Sequence, residues 1–216
     1  MTQPHKETQP QLELPCEKLL REAAAWRLIG LLLECPRPGW HAEVAELSRQ
    51  VEDAELRQAA AAAQHATAGM HHTTFGPGGP AAPREVSYRQ TVDAGAFIAE
   101  LLAYYHAFAF HHDSREPPDH VAIEAGFVGY LRLKEAFATN SADTANADVA
   151  RQSAMTFIAE HLSLSAAPLA SALANSGIEY LALAAAVLAR RVGPPPASSS
   201  RAQVTLDDCA GCPELA

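Results

Sequence analysis

The densest chemistry in the chain is the segment Glu116-Pro117-Pro118-Asp119-His120-Val121-Ala122-Ile123-Glu124. The two prolines fix a helix start, because proline presets φ and its missing N–H costs nothing in a first helical turn. Asp119, His120 and Glu124 then fall within the first turn and a half, where the positive end of the helix dipole favours carboxylates. His120 and Glu124 are four apart, so they share a face and can interact. An acidic cluster held in this way can pair with arginine guanidinium groups through bidentate, charge-assisted hydrogen bonds. The plainer alternative is Asp119 as a simple N-cap, with His120 and Glu124 a solvated pair worth roughly a few tenths of a kcal/mol.

Upstream lies Thr73-Thr74-Phe75-Gly76-Pro77-Gly78-Gly79-Pro80-Ala81-Ala82-Pro83, followed by Arg84-Glu85-Val86-Ser87-Tyr88. No regular element tolerates that density of glycine and proline, so a long ordered loop is expected from Met70 to Ser87. With Phe75 and Tyr88 at its two ends, such a loop could hold apolar surface open for an extended peptide. It lacks the terminal Gly-Lys-Ser/Thr and the preceding strand of a phosphate-binding loop. An irregular connection packed by its own side chains is the competing reading.

Histidine and cysteine supply two weaker signals. His71-His72, His106, His111-His112-Asp113 and His120 are among ten histidines. The His-Asp dipeptide invites comparison with helical metal-dependent phosphohydrolases, in which His106, His112 and Asp113 would be ligands. That chemistry needs more His and Asp ligands from several helices around one centre. His111 and His112 are also placed at a helix C-terminus, where the dipole stabilises imidazolium. No catalytic residue, metal ligand or cofactor is therefore assigned. Cys209-Ala210-Gly211-Cys212-Pro213 offers two thiolates where a closed zinc site wants four ligands. Cys16 and Cys35, or a second subunit, could complete it, which leaves open a helical interaction module with a metal or redox tail. An inert thiol pair is the alternative.

The elements around these segments are helical. Leu19, Ala23, Trp26, Gly30 and Leu33 step by four and three, predicting a helix over Pro15–Leu33 that Pro36 and Pro38 terminate. Further helices are expected from Trp40 to Val51 and from Asp53 to a C-cap near Gly69. Asp93 should cap a helix carrying Phe97, Leu101, Tyr104 and Phe108 on one face. Asp119 or its neighbour opens the next, with Ile123, Phe127, Tyr130 and Phe137 on one side. Asp143 caps a helix to about Leu162, Pro168 marks the first turn of a short one, and Ile178–Val192 forms the last before Gly193. With no sustained alternation and no hairpin turn, the fold class is all-α, a single-domain bundle of about seven or eight helices. It spans residues 15–193, between a polar segment 1–14 and a Pro/Ser-rich mobile tail 194–216.

Bulk properties narrow the partners. At 216 residues the chain is one domain or one with an appendage, and 48% hydrophobic against 19% charged residues excludes global disorder. Sixteen basic and twenty-five acidic residues leave a net charge of −9. That field repels nucleic acid and anionic membrane and suits a basic ligand. No run of about 18 apolar residues appears, so no stable membrane insertion is expected. The N-terminus lacks the apolar core of a secretory signal, so a cytoplasmic location with reduced thiols is expected.

In order along the chain come Arg21 and Trp26, Phe75-Gly76-Pro77-Gly78 through Pro83 to Tyr88, Glu116 to Glu124, and Phe157-Ile158-Ala159-Glu160-His161-Leu162. This pattern resembles the TorD/DmsD family of redox-enzyme maturation chaperones, related to NarJ, over about Arg21 to Val192. The resemblance implies a non-enzymatic, all-helical, cytoplasmic chaperone. Its partner would be the apo catalytic subunit of a molybdopterin oxidoreductase, bound also through its twin-arginine leader peptide, held for cofactor insertion and delayed from export. Carried over by position, Phe75, Pro77, Pro83 and Tyr88 would line the apolar part of the peptide groove. Asp119, His120 and Glu124 would form its polar end. Monomer and homodimer both fit, since a long loop permits helix exchange between protomers.

Overall fold

The computed structural model describes residues 15–90 and 93–194. Nine α-helices follow one another among the described residues: α1 Pro15–Leu33, α2 Trp40–Ser48, α3 Ala54–Ala62, α4 Ala68–Phe75, α5 Ala94–Ala107, α6 Val121–Asn140, α7 Thr144–Phe157, α8 Ser163–Ala174 and α9 Glu179–Val192. A π-turn over Ile158–Leu162 joins α7 to α8 without a break, so eight separate helical runs result. Among these residues there is no strand, only an isolated antiparallel bridge between Arg84 and His120. The all-α expectation holds.

The core is built on α1 and α6, whose pairing is the most extensive in the fold. In α1 the amphipathic stripe widens toward the C-terminus until Leu28, Ile29, Leu31, Leu32 and Leu33 are all fully buried. In α6 every residue from Val121 to Gly129 is buried. Two glycines let these helices touch: a Cβ on Gly30 would sit 2.6 Å from the Ala122 carbonyl oxygen, and one on Gly129 3.1 Å from that of Ala23. Trp40 seals the end of α1, its indole N–H donating to the Leu31 carbonyl at 2.8 Å. Around this pair, α7 lies against α6, and α9 packs on α3, α8 and α1.

Capping explains most boundaries. The Asp53, Asp93 and Asp143 carboxylates accept N–H bonds from the first turns of α3, α5 and α7. Several expectations need correction. Helix α2 stops at Ser48, and the alanine-rich helix ends at Ala62 with a short 3₁₀ turn, short of Gly69. Thr67 then caps α4 through the Met70 N–H, so Met70–Phe75 is helical and not loop. Pro168 lies inside α8, because the π-turn carries the helix past the expected restart. Phe137 does not share the buried side of α6 but projects into solvent, 75% exposed. His111 and His112 follow α5 without belonging to it. The run Thr144–Ala174, 31 residues, is long and apolar enough to cross a membrane, with 44% of its most apolar window buried inside the fold. Cys209, Cys212 and the tail from 195 onward lie outside the described residues.

Candidate functional site

The glycine-proline segment and the start of α6 are stitched together by backbone. Glu85 N–H donates to the Asp119 carbonyl at 2.8 Å, and Val121 N–H to the Pro83 carbonyl at 2.9 Å, on either side of the Arg84–His120 bridge. The glycines have a local cause: a Cβ on Gly76 would lie 2.3 Å from the His72 carbonyl oxygen, and one on Gly79 2.2 Å from that of Thr74. Gly78 has φ +80°, a conformation costly for other residues. On this segment Pro77 is exposed, while Phe75, Pro83 and Tyr88 are half-buried. The Tyr88 hydroxyl donates to the Ala82 carbonyl at 2.6 Å, closing the segment on itself. Phe75 sits edge-on to His71 and His120.

Beneath the seam, Asp119, His120 and Glu124 are all buried. His120, and not Asp119, caps α6: its Nδ1 accepts the Ala122 N–H at 3.1 Å. Asp119 instead accepts from Arg84 Nε at 2.9 and 3.2 Å, and from the Val86 N–H. His120 and Glu124 do not pair. The His120 Nε2 lies 3.7 Å from a Glu116 oxygen, whereas Glu124 faces Glu85. Burial lowers the His120 pKa to about 3, with His71 and Arg84 adding to the shift, so the ring is neutral.

The Glu85 carboxylate anchors the cluster. It accepts from Arg89 Nε at 2.7 Å and contacts His161 Nδ1 at 3.1 Å. Burial would raise its pKa, but His161, Glu124 and Arg89 together bring it below the ordinary value. Glu124 moves the other way: burial first, then the Glu85 charge, pushes it well above the usual carboxylate range. Neither Glu124 oxygen has a conventional donor. A proton on Glu124 given to Glu85 accounts for both observations. Arg89 also reaches the Glu160 carbonyl and lies over the Phe97 ring.

Arg84, Glu85, Arg89 and His161 are thus site residues that the sequence reading did not single out. An Arg-Glu-x-x-x-Arg spacing on a loop looks solvated. Only the His161-bearing π-turn, packed beside Glu85, makes it an interior network.

A groove of about 560 Å³ opens on the other side of α6, between α1 and the segment after α5. Ala122, Gly126 and Gly129 contribute to its floor, Leu20 and Leu133 to its exposed apolar rim, and Arg27 is among its charged residues. None of Phe75, Pro77, Pro83, Tyr88, Asp119, His120 or Glu124 lines it.

Residues 34–170 match the family described as nitrate reductase delta subunit, a stretch that holds the whole seam and its buried network. Comparison with curated proteins and with solved structures gives no match. The matched family is one of chaperones that act on catalytic subunits of molybdoenzymes, within the same group as TorD, DmsD and NarJ. The match takes in well over half of the chain, and the chain belongs to the nitrate reductase delta subunit family of molybdoenzyme maturation chaperones.

Proposed function

We propose that this chain binds the twin-arginine leader and the apo form of a molybdopterin oxidoreductase catalytic subunit in the cytoplasm, holds it for cofactor insertion and delays its export. The leader sits at the seam, with its apolar run on Phe75, Pro77, Pro83 and Tyr88. One of its arginines takes Asp119. The observation that carries this reading is the Arg84–Asp119 pair, in which the carboxylate is fully buried but the arginine side chain is 42% exposed. A buried carboxylate cannot be left unpaired cheaply, so an incoming guanidinium exchanges with Arg84. His120 and Glu124 act as positioning groups below, one by capping α6 and the other by holding Glu85 in place.

The −9 net charge steers a cationic leader toward the chain. The groove between α1 and α6 offers a separate apolar surface for another segment of the client.

Calorimetry with a synthetic leader peptide tests the reading. Asp119→Asn and Tyr88→Ala should each weaken binding by about ten-fold or more, while Met155→Ala, on the exposed face of α7, should leave it unchanged. Unchanged affinity in both seam variants would remove the leader from this seam.

A further inference from the structure

His71 belongs to two groups of metal-ligating side chains, Cys35 with His72 and Glu116 with His120, and in each group the ligand atoms lie within 4.8 Å of one another. These residues come from the end of α1, from α4 and from the approach to α6, three segments far apart in the chain. His71 is 4% exposed and its Nδ1 has no partner. Its Nε2 contacts the Leu33 carbonyl at 3.3 Å, which places the N–H there and leaves Nδ1 as a lone pair. An imidazole oriented by a backbone carbonyl, with its second nitrogen free, is the usual arrangement of a metal ligand.

The hydrogen bonds sort the remaining candidates. His120 Nδ1 accepts the Ala122 N–H, so its Nε2 keeps the proton and cannot ligate. That nitrogen lies 3.7 Å from a Glu116 oxygen, beyond hydrogen-bond range. A cation here would engage the orphaned His71 nitrogen.

We propose that Cys35, His71 and His72 supply three ligands to one zinc-class divalent ion, with water as the fourth, and that Glu116, which groups with His71 and His120, lies beside the site. One thiolate and two imidazoles make a donor set of the softness zinc favours. The ion would staple the segment that ends α1 to α4.

The test uses the full chain with Cys209→Ser and Cys212→Ser, which removes the tail thiols as competing ligands. After chelator treatment it is titrated with zinc by calorimetry and with cobalt by absorption spectroscopy. Saturation at one equivalent is expected, with tetrahedral cobalt bands and a thiolate charge-transfer band. Cys35→Ser should abolish that charge-transfer band. His71→Ala should weaken binding by about ten-fold or more, and His106→Ala should have no effect. Should His71→Ala unfold, Cys35→Ser and His72→Gln, at less buried positions, decide the matter in its place. No saturable binding, or binding indifferent to the Cys35 and His72 changes, overturns the site. The readout is metal alone and is independent of leader binding.

Discussion

The carboxyl groups of Glu85 and Glu124 meet in the interior, both residues being fully buried. One comes from the short 3₁₀ turn before Tyr88 and the other from the start of α6. Two adjacent buried carboxyls cannot both ionise. Glu85 keeps its charge because Arg89 and His161 face it, and Glu124 keeps its proton because burial and then the Glu85 and Asp119 charges disfavour a second anion there. The pair ties the loop to the helix through one shared proton.

Glu124→Gln should therefore be nearly neutral at pH 7, within about 1 kcal/mol, since the amide N–H replaces the carboxyl proton donated to Glu85. The raised Glu124 pKa means that the folded state binds more protons than the unfolded one above the ordinary carboxylate value of about 4.3. Its contribution is complete below that value and is lost as pH rises through the folded pKa. Denaturant melts from about pH 5 to 9 should show a falling limb in the wild type that is absent in the variant. Equal slopes would mean that Glu124 is ionised in the folded protein.

Histidine burial acts with the opposite sign. The folded pKa values of His120 and His71 are lowered to about 3 and about 4, below the ordinary 6.5. Their contribution is present above pH 6.5 and lost as pH falls toward those folded values. His120→Asn keeps an N-cap for α6 while removing one of the two titrations. The acid unfolding midpoint should move to lower pH, whereas His120→Ala should also lose about 1 kcal/mol of capping at neutral pH. An unmoved acid limb in His120→Asn would show that the buried ring does not drive acid unfolding.

Features written in local chemistry were legible. Helix α1 has the residues its apolar stepping predicts, and Asp93 and Asp143 cap the helices assigned to them. The proximity of the glycine-proline segment to the start of α6 followed from the family resemblance, not from spacing. What escaped was long-range. Nothing near Glu85 in sequence announces that His161 and Glu124 will close over it. Asp119 reads as a cap because aspartate usually is one, and only the approach of Arg84 withdraws it from that role. Thr67 opens α4 where the preceding helix was expected to end, and α4 runs on through Met70–Phe75 of the expected loop, since breakers from Gly76 onward said nothing about those residues.

The pairing of α1 with α6 should be intolerant of one methyl group. A Cβ on Gly30 would meet the Ala122 carbonyl oxygen at 2.6 Å, a backbone atom that cannot turn aside. Gly30→Ala should destabilise the fold by about 1–3 kcal/mol as the two helices are forced apart. Gly129→Ala, at 3.1 Å from the Ala23 carbonyl oxygen, should cost less. Thermal melts of the two variants check the order, and a Gly30→Ala protein as stable as wild type would mean that the helices separate freely.

Removing Arg84 separates stability from leader binding. Arg84→Gln leaves the Asp119 carboxylate buried without its cation, which costs about 3–5 kcal/mol for a fully buried pair and less here because Arg84 is half in solvent. If the leader's arginine exchanges with Arg84, the peptide restores the missing charge. It should then raise the melting temperature of Arg84→Gln more than that of the wild type, and bind the variant more tightly. Peptide lacking the arginine pair should stabilise neither. The double variant Arg84→Gln with Asp119→Asn should recover stability and lose the enhanced response, because it has no buried charge left to satisfy. A leader that stabilises wild type and Arg84→Gln equally would place its arginines somewhere other than Asp119.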